Sequence, residues 1–331
     1  MFKSKLKYLA YAFIVGLFLL SFLPLQLVTL SGDTMGTTYT IKYLTRFPFF
    51  KSFIHTQIQA TLSDLSDIFS TYSSTSEISK INKSTEFNPM LISTHLYHVI
   101  DFALSVSKQT NGFYDITTGP LHELWGFKKL DNNHPKIPSH DDILSVLPYI
   151  GYSLVNLSPP YSLSKYHAKT QLDLSSVAKG YAVDQVANKL SQFRIERMMI
   201  EIGGEVFALG LSNRNRPWQL GIDTSSLIVL LSNKALATSG TYRQYFDDQN
   251  NRYSHIINPH TGYPVSNSVI SVSVIADTCM VADAWATALM FYKPKKAIEI
   301  VNQIPNLECL IKTSSREFMS KRFNEYCVSY N

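Results

Sequence analysis

Residues 253–291 read YSHIINPHTGYPVSNSVISVSVIADTCMVADAWATALMF. The first part is polar and rich in turn formers, 269–275 alternates as a half-buried strand does, and an alanine-rich helix follows. That helix carries one acid and one threonine. Asp283 and Thr287 are four apart, so a helix sets them on one face, one turn above the other. A carboxylate and a hydroxyl are hard oxygen donors of the kind Mg²⁺ accepts when phosphates and water complete its octahedron. The same pair also suits an acid near a helix N-terminus and a threonine bonding back to a carbonyl. The rest of the chain must decide between them.

Upstream, apolar residues at helical spacing over 52–69 predict an amphipathic helix, and a hydroxyl-rich loop holding Tyr72 follows. A second helix over 91–110 stops at Asn111–Gly112, a left-handed terminator pair. Residues 113–127 combine an acid, two threonines, a Gly-Pro turn and an aromatic cluster, as a loop lining a site would. Short strands are expected at 154–157 and 171–174, then a helix to about 193. Its N-terminus, with Lys179 beside it, is a ready anion cradle, although no P-loop motif is present. Two apolar strands flank Gly203–Gly204, strands at 218–223 and 227–232 continue the sheet, and 237–245 is expected as a small-residue turn. Beyond the Asp283 helix come a helix at 294–303 and a strand at 307–312. Strands and helices interleave throughout, which predicts one compact α+β domain over 31–331 with largely antiparallel strands.

The chain has 331 residues, 45% hydrophobic and 17% charged, the composition of a folded protein. Of a net charge of +5, Lys3, Lys5 and Lys7 supply three before any acid appears, so the body lacks the basic footprint of a nucleic-acid binder. Residues 9–30 form an uncharged run of 22, long enough for a bilayer core of about 30 Å. The lysines before it predict a signal-anchor or transmembrane segment at 1–30, with everything after it exported to the periplasmic face of an inner membrane. Three cysteines without a C-x-x-C spacing argue against a structural zinc site; Cys309 and Cys327 suit either a disulfide or buried thiols.

Ten short motifs in order then resemble the ApbE family of FAD:protein FMN transferases. They are Met35–Tyr39, Ser70–Tyr72 with Ser76–Glu77, Tyr114–Thr117 with Gly119–Pro120 and Leu124–Phe127, Asp173–Leu174, Lys179–Ala182 with Asp184, Gly203–Gly204, Thr238–Gly240, Ser254–Ile257 with Pro259, Thr261–Gly262 with Pro264, and Ala282–Ala284 with Thr287. The resemblance implies an ApbE/T-fold-like domain that cleaves FAD with Mg²⁺, releases AMP and passes FMN to a threonine hydroxyl of an acceptor protein as a phosphoester. By the same transfer, Asp283, Thr287 and the backbone carbonyl of Ser176 hold the metal. Met35 and Tyr72 lie against the planar rings, Tyr114, Asp115 and Ile257 complete the flavin site, and Asp173 and Lys179 serve nucleotide and phosphates. His255 is a candidate proton carrier, with a structural role in its turn as the alternative reading, and Asp283 is the other candidate base.

Four departures stand out against the family pattern. Asn258 replaces an acid after His255–Ile257, Glu205 replaces an aspartate after the glycine pair, Ala286 stands where some members place a further acidic ligand, and the apolar segment stands where many carry a lipid-modified N-terminus. The alternatives to transfer are an FAD pyrophosphatase using water and a membrane-tethered flavin carrier without turnover.

Overall fold

The computed structural model describes residues 23–128, 137–249 and 251–329. Its framework is an eight-stranded sheet whose strands lie side by side in chain order. β1 (Gln26–Thr34) and β2 (Thr37–Thr45) form a hairpin, followed by β3 (Met198–Ile202), β4 (Glu205–Leu209), β5 (Lys234–Gly240), β6 (Val269–Ala276), β7 (Glu308–Thr313) and β8 (Glu317–Met319). Every neighbouring pair is antiparallel.

Both faces of this sheet are covered, and the alternation of each strand shows it. On β6, Val272, Val274 and Ala276 join one core while Ile275 joins the other; on β7, Cys309 and Ile311 oppose Leu310 in the same way. Helices cover the first face. α1 (Lys51–Phe69) buries Ile54, Ile58, Leu62, Leu65 and Phe69, one stripe at helical spacing. α2 (Thr94–Gln109) starts at a Ser93 cap and ends at Asn111 and Gly112, whose φ values are +52° and +77°. α3 (Ala178–Gln192) lies over β3 and β4, α4 (Cys279–Leu289) over β5 and β6, and the two helices touch. The opposite face carries a three-stranded sheet of Trp218–Gly221, Leu227–Leu231 and Cys327–Ser329, packed through Trp218, Val229 and Leu231 onto Val206, Leu236 and Leu310.

Three expectations are corrected. Residues 26–30, counted within the uncharged run, belong to β1: Val28 and Leu30 are buried and their neighbours exposed, the period of a strand. Residues 1–22 lie outside the described residues, and no described helix is long and apolar enough to cross a membrane. Residues 237–240, expected as a turn, finish the central strand β5; its alanines at 235 and 237 are small because α4 packs directly on them. Residues 171–174 form no strand beyond a single bridge between Gln171 and Thr118. Asn82 satisfies that backbone instead, its amide donating to the Leu172 carbonyl at 2.8 Å and accepting the Leu172 N–H at 2.7 Å. Cys279, Cys309 and Cys327 are free thiols.

Candidate active site

A cleft of about 470 Å³ opens where the β1–β2 turn, the β3–β4 turn and the start of α3 meet α4. Its lining includes Met35, Tyr72, Tyr114, Asp115, Asp173, Ser176, Lys179, His255, Ile257, Asp283 and Thr287, so every site residue expected from the sequence is brought to one place.

The contact between α3 and α4 builds its floor. In a regular helix the Gly180 N–H would bond the Ser176 carbonyl four residues back. It donates instead to Asp283 Oδ2 at 3.0 Å. The Ser176 carbonyl therefore receives no bond from the helix ladder. Glycine is needed here, since a Cβ would lie 2.4 Å from the Cys279 carbonyl oxygen and 2.8 Å from Asp283 Cβ. Asp184 fixes the start of α4 by accepting the Cys279 and Met280 N–H groups at 2.8 and 2.9 Å. The Thr287 and Ser239 hydroxyls bond each other at 2.8 Å. Ser176 donates its hydroxyl to Tyr114 Oη at 3.0 Å, and burial pushes the Tyr114 phenol up, keeping it neutral. Tyr114, though buried, still lines the cleft, and its hydroxyl fixes Ser176.

Charged groups line one wall. Lys179 Nζ lies 2.6 Å from Glu205 Oε1, while Glu205 Oε2 is buried without a hydrogen-bond partner. Burial works against the Lys179 ammonium, but Glu205 and Asp283 outweigh it and hold the lysine charged. Burial likewise raises Asp283, with Lys179, the Gly180 N–H and Arg243 opposing. Asp173 is the contrary case. Burial would raise it, yet His122 Nδ1 at 3.2 Å, the nearby Lys128 and the Ser175 N–H hold its carboxyl well below the usual carboxylate range. Asp115 lines the cleft with its oxygens already engaged, Oδ1 by the Thr117 N–H and hydroxyl and Oδ2 by the Tyr152 N–H, so it ties the 115–118 loop to residue 152.

His255 is half-buried, and its Nδ1 lies 2.9 Å from the Gln244 carbonyl, a contact only an N–H can make. The lone pair therefore sits on Nε2. Burial, reinforced by the positive charges of Lys179 and Arg243, lowers its pKa to about 4 against the Gln244 bond. Tyr72 stands at the mouth, 69% exposed. Met35 lines the same cleft from a two-residue turn with φ +48°, followed by Gly36 at +73°. Ile257 packs with Leu121 and Trp125 under the wall.

Residues 35–311 match the ApbE family model. The chain belongs to the ApbE family. A relative called FAD:protein FMN transferase from Vibrio cholerae is 37% identical over 315 residues, covering 92% of this chain and 93% of that one. Another from Haemophilus influenzae is 35% identical over 310 residues, 89% of each. Among solved structures, the flavin transferase ApbE from Vibrio cholerae superposes with a TM-score of 0.84 at 34% identity, over 92% of this chain and 100% of that one. The ApbE protein from Thermotoga maritima gives 0.83 at 28% identity, over 91% and 99%.

The departures of this ApbE chain take on physical meaning in the structure. Asn258 accepts the His260 N–H at 2.9 Å, a structural bond within its turn that an amide makes as well as an acid. Ala286 is fully buried in the core and does not face the cleft. Among the further lining residues, two make contacts for which no role was expected. Arg243 donates Nη1 to the Gly203 carbonyl at 2.8 Å, and His122 holds Asp173. Each stands just after a recognised motif, Thr238–Gly240 and Gly119–Pro120, which was the available signal.

Among the described residues no group of three or more His, Cys, Asp and Glu could hold a metal ion. The donors present are one carboxylate, one hydroxyl and one carbonyl released from its ladder. All are hard oxygens, and that set fits Mg²⁺ completed by phosphates and water.

Proposed function

We propose that this chain is an FAD:protein FMN transferase that uses Mg²⁺ and a threonine acceptor. The observation that carries the reading is the freed Ser176 carbonyl in a cleft that Asp283 and Thr287 also line, together with charged Lys179 and neutral His255. FAD lies with its rings between Met35 and Tyr72 and its phosphates toward Lys179. A Mg²⁺ held by Asp283, Thr287 and the Ser176 carbonyl would supply neutralisation of charge on the pyrophosphate oxygens. The acceptor threonine oxygen bonds to the FMN-side phosphorus, the bond from that phosphorus to the bridging oxygen breaks, and AMP leaves with the oxygen. The threonine proton passes to His255 Nε2. His255 suits this better than Asp283, whose Oδ2 is engaged by Gly180 and whose charge belongs to the metal.

The reading is tested by incubating the protein with FAD, Mg²⁺ and an acceptor protein flavinylated by an ApbE relative, then looking for flavin fluorescence on the denatured acceptor band. A threonine-to-valine acceptor must stay dark. AMP release without any labelled band would make the chain a pyrophosphatase, and FAD binding without AMP would make it a carrier. We also place the domain on the outer face of a membrane, tethered by its N-terminal segment. Exposed Leu23, Leu25 and Leu27 support this, since β1 pairing sets them at the same end of the sheet as exposed Phe49, Phe50 and Phe53.

Two results are expected here. Since a base must be unprotonated and His255 sits at about 4, kcat/KM for the acceptor holds level from about pH 8 down to about pH 6 and falls only below about pH 5. A falling limb centred near an ordinary histidine value of about 6.5 would contradict the lowering of the His255 pKa by burial. Met35 occupies left-handed backbone, which costs an ordinary side chain about 1–2 kcal/mol. Met35→Asn, a residue that tolerates this region, should raise Tm by about 1–3 °C while weakening FAD binding several-fold. Thermal unfolding and a flavin fluorescence titration check the two halves separately.

A further inference from the structure

We propose that the acceptor protein docks as an extended segment along the strand Trp218–Gly221, in a groove that opens into the cleft across Gly203 and Gly204. The inference rests on the transferase reading and says where its protein substrate enters. On the far side of the β3–β4 turn lies a second depression of about 670 Å³, lined among others by Glu201, Leu220, Gly221 and Asp223. Thr37, Gly203, Thr238 and Arg243 line both this groove and the cleft. What separates them is the Gly203–Gly204 turn with the Arg243 guanidinium lying on it. The two glycines have φ of +59° and +97°, and a Cβ on Gly204 would lie 2.6 Å from Arg243 Nη2, so the exposed Arg243 side chain takes the place of side chains on the turn and forms the divide.

The strand beside the groove is an unfilled template. Trp218–Gly221 pairs with Leu227–Leu231 on one side only, and among the described residues its backbone makes no hydrogen bond on the other. Such an edge offers a row of free N–H and C=O groups to an extended chain, and the groove floor of Val206, Leu220 and Leu236 takes alternate side chains. A segment held there projects a threonine past the Arg243 guanidinium toward the FMN-side phosphorus while the rest of the acceptor stays outside. A nucleophile carried by a folded protein needs such an approach, because the cleft itself is filled by FAD.

Gly221 gives a clean test. A Cβ there meets nothing within 4 Å and its backbone is outside the left-handed region, so Gly221→Arg sets a long charged side chain beside the free strand edge without disturbing the fold. With full-length protein, saturating FAD and the acceptor of an ApbE relative, Gly221→Arg should raise KM for the acceptor at least about tenfold and leave FAD affinity within about twofold. As a second measurement, hydrogen exchange over residues 218–223 should slow when the threonine-to-valine acceptor is added. An unchanged KM with no slowing overturns the docking site. Failure of the wild-type chain to transfer FMN at all, with slowing still seen, overturns the transferase reading and leaves the docking site standing.

Discussion

Asp283→Asn is expected to lower FMN transfer by about 10³-fold or more while the protein remains folded and still binds FAD. Metal neutralisation of phosphoryl oxygens contributes several kcal/mol to the transition state, and each 1.4 kcal/mol or so is a factor of ten. Asparagine has the same shape, and its amide oxygen can accept the Gly180 N–H that Asp283 Oδ2 accepts at 3.0 Å. The α3–α4 junction therefore keeps its bond. Since burial raises the Asp283 carboxyl, its ionised form is costly in the folded state, and Tm of the variant should equal or exceed that of the parent. AMP release, a thermal melt and a flavin titration make the three comparisons; transfer within tenfold of the parent would remove Asp283 from the metal site.

Gly180→Ala should damage both stability and activity, which separates it from the first variant. One added methyl meets the Cys279 carbonyl oxygen at 2.4 Å and Asp283 Cβ at 2.8 Å, so α3 and α4 must part. Overpacking of this kind costs about 1–3 kcal/mol. The same movement carries Asp283 and Thr287 away from the Ser176 carbonyl, and displacement near 1 Å at a reacting centre costs about 10²-fold. The expected outcome is a lower Tm together with a fall in kcat of about that size. A variant with parental Tm and rate would mean that the helix contact does not position the site.

How much of this was legible in the sequence depends on how far apart the interacting groups stand. α1 was readable because its buried stripe repeats within the helix, and the end of α2 because Asn111 and Gly112 are adjacent. The expected cleft residues other than Ser176 were readable because each sits in a short contiguous motif. The bonds that organise them were not. Gly180 and Asp283 are 103 residues apart, His122 and Asp173 are 51 apart, and Arg243 reaches Gly203 across 40. Nothing local in the chain announces such a pairing. Tyr114 and Asp115 were placed correctly at the cleft, yet their bonds to Ser176 and Tyr152 depend on tertiary packing. The start of β1 was hidden for a different reason, since an uncharged strand is indistinguishable by charge from the uncharged segment before it.

The measurement that bears most directly on the account is intact-mass analysis of the acceptor after reaction with the wild-type chain, FAD and Mg²⁺, with AMP quantified in the same sample. The account predicts a gain equal to FMN less one water, one AMP per modified acceptor, and loss of both with excess EDTA or in Asp283→Asn. FAD consumed to AMP with the acceptor mass unchanged, or equal transfer in EDTA, would contradict it.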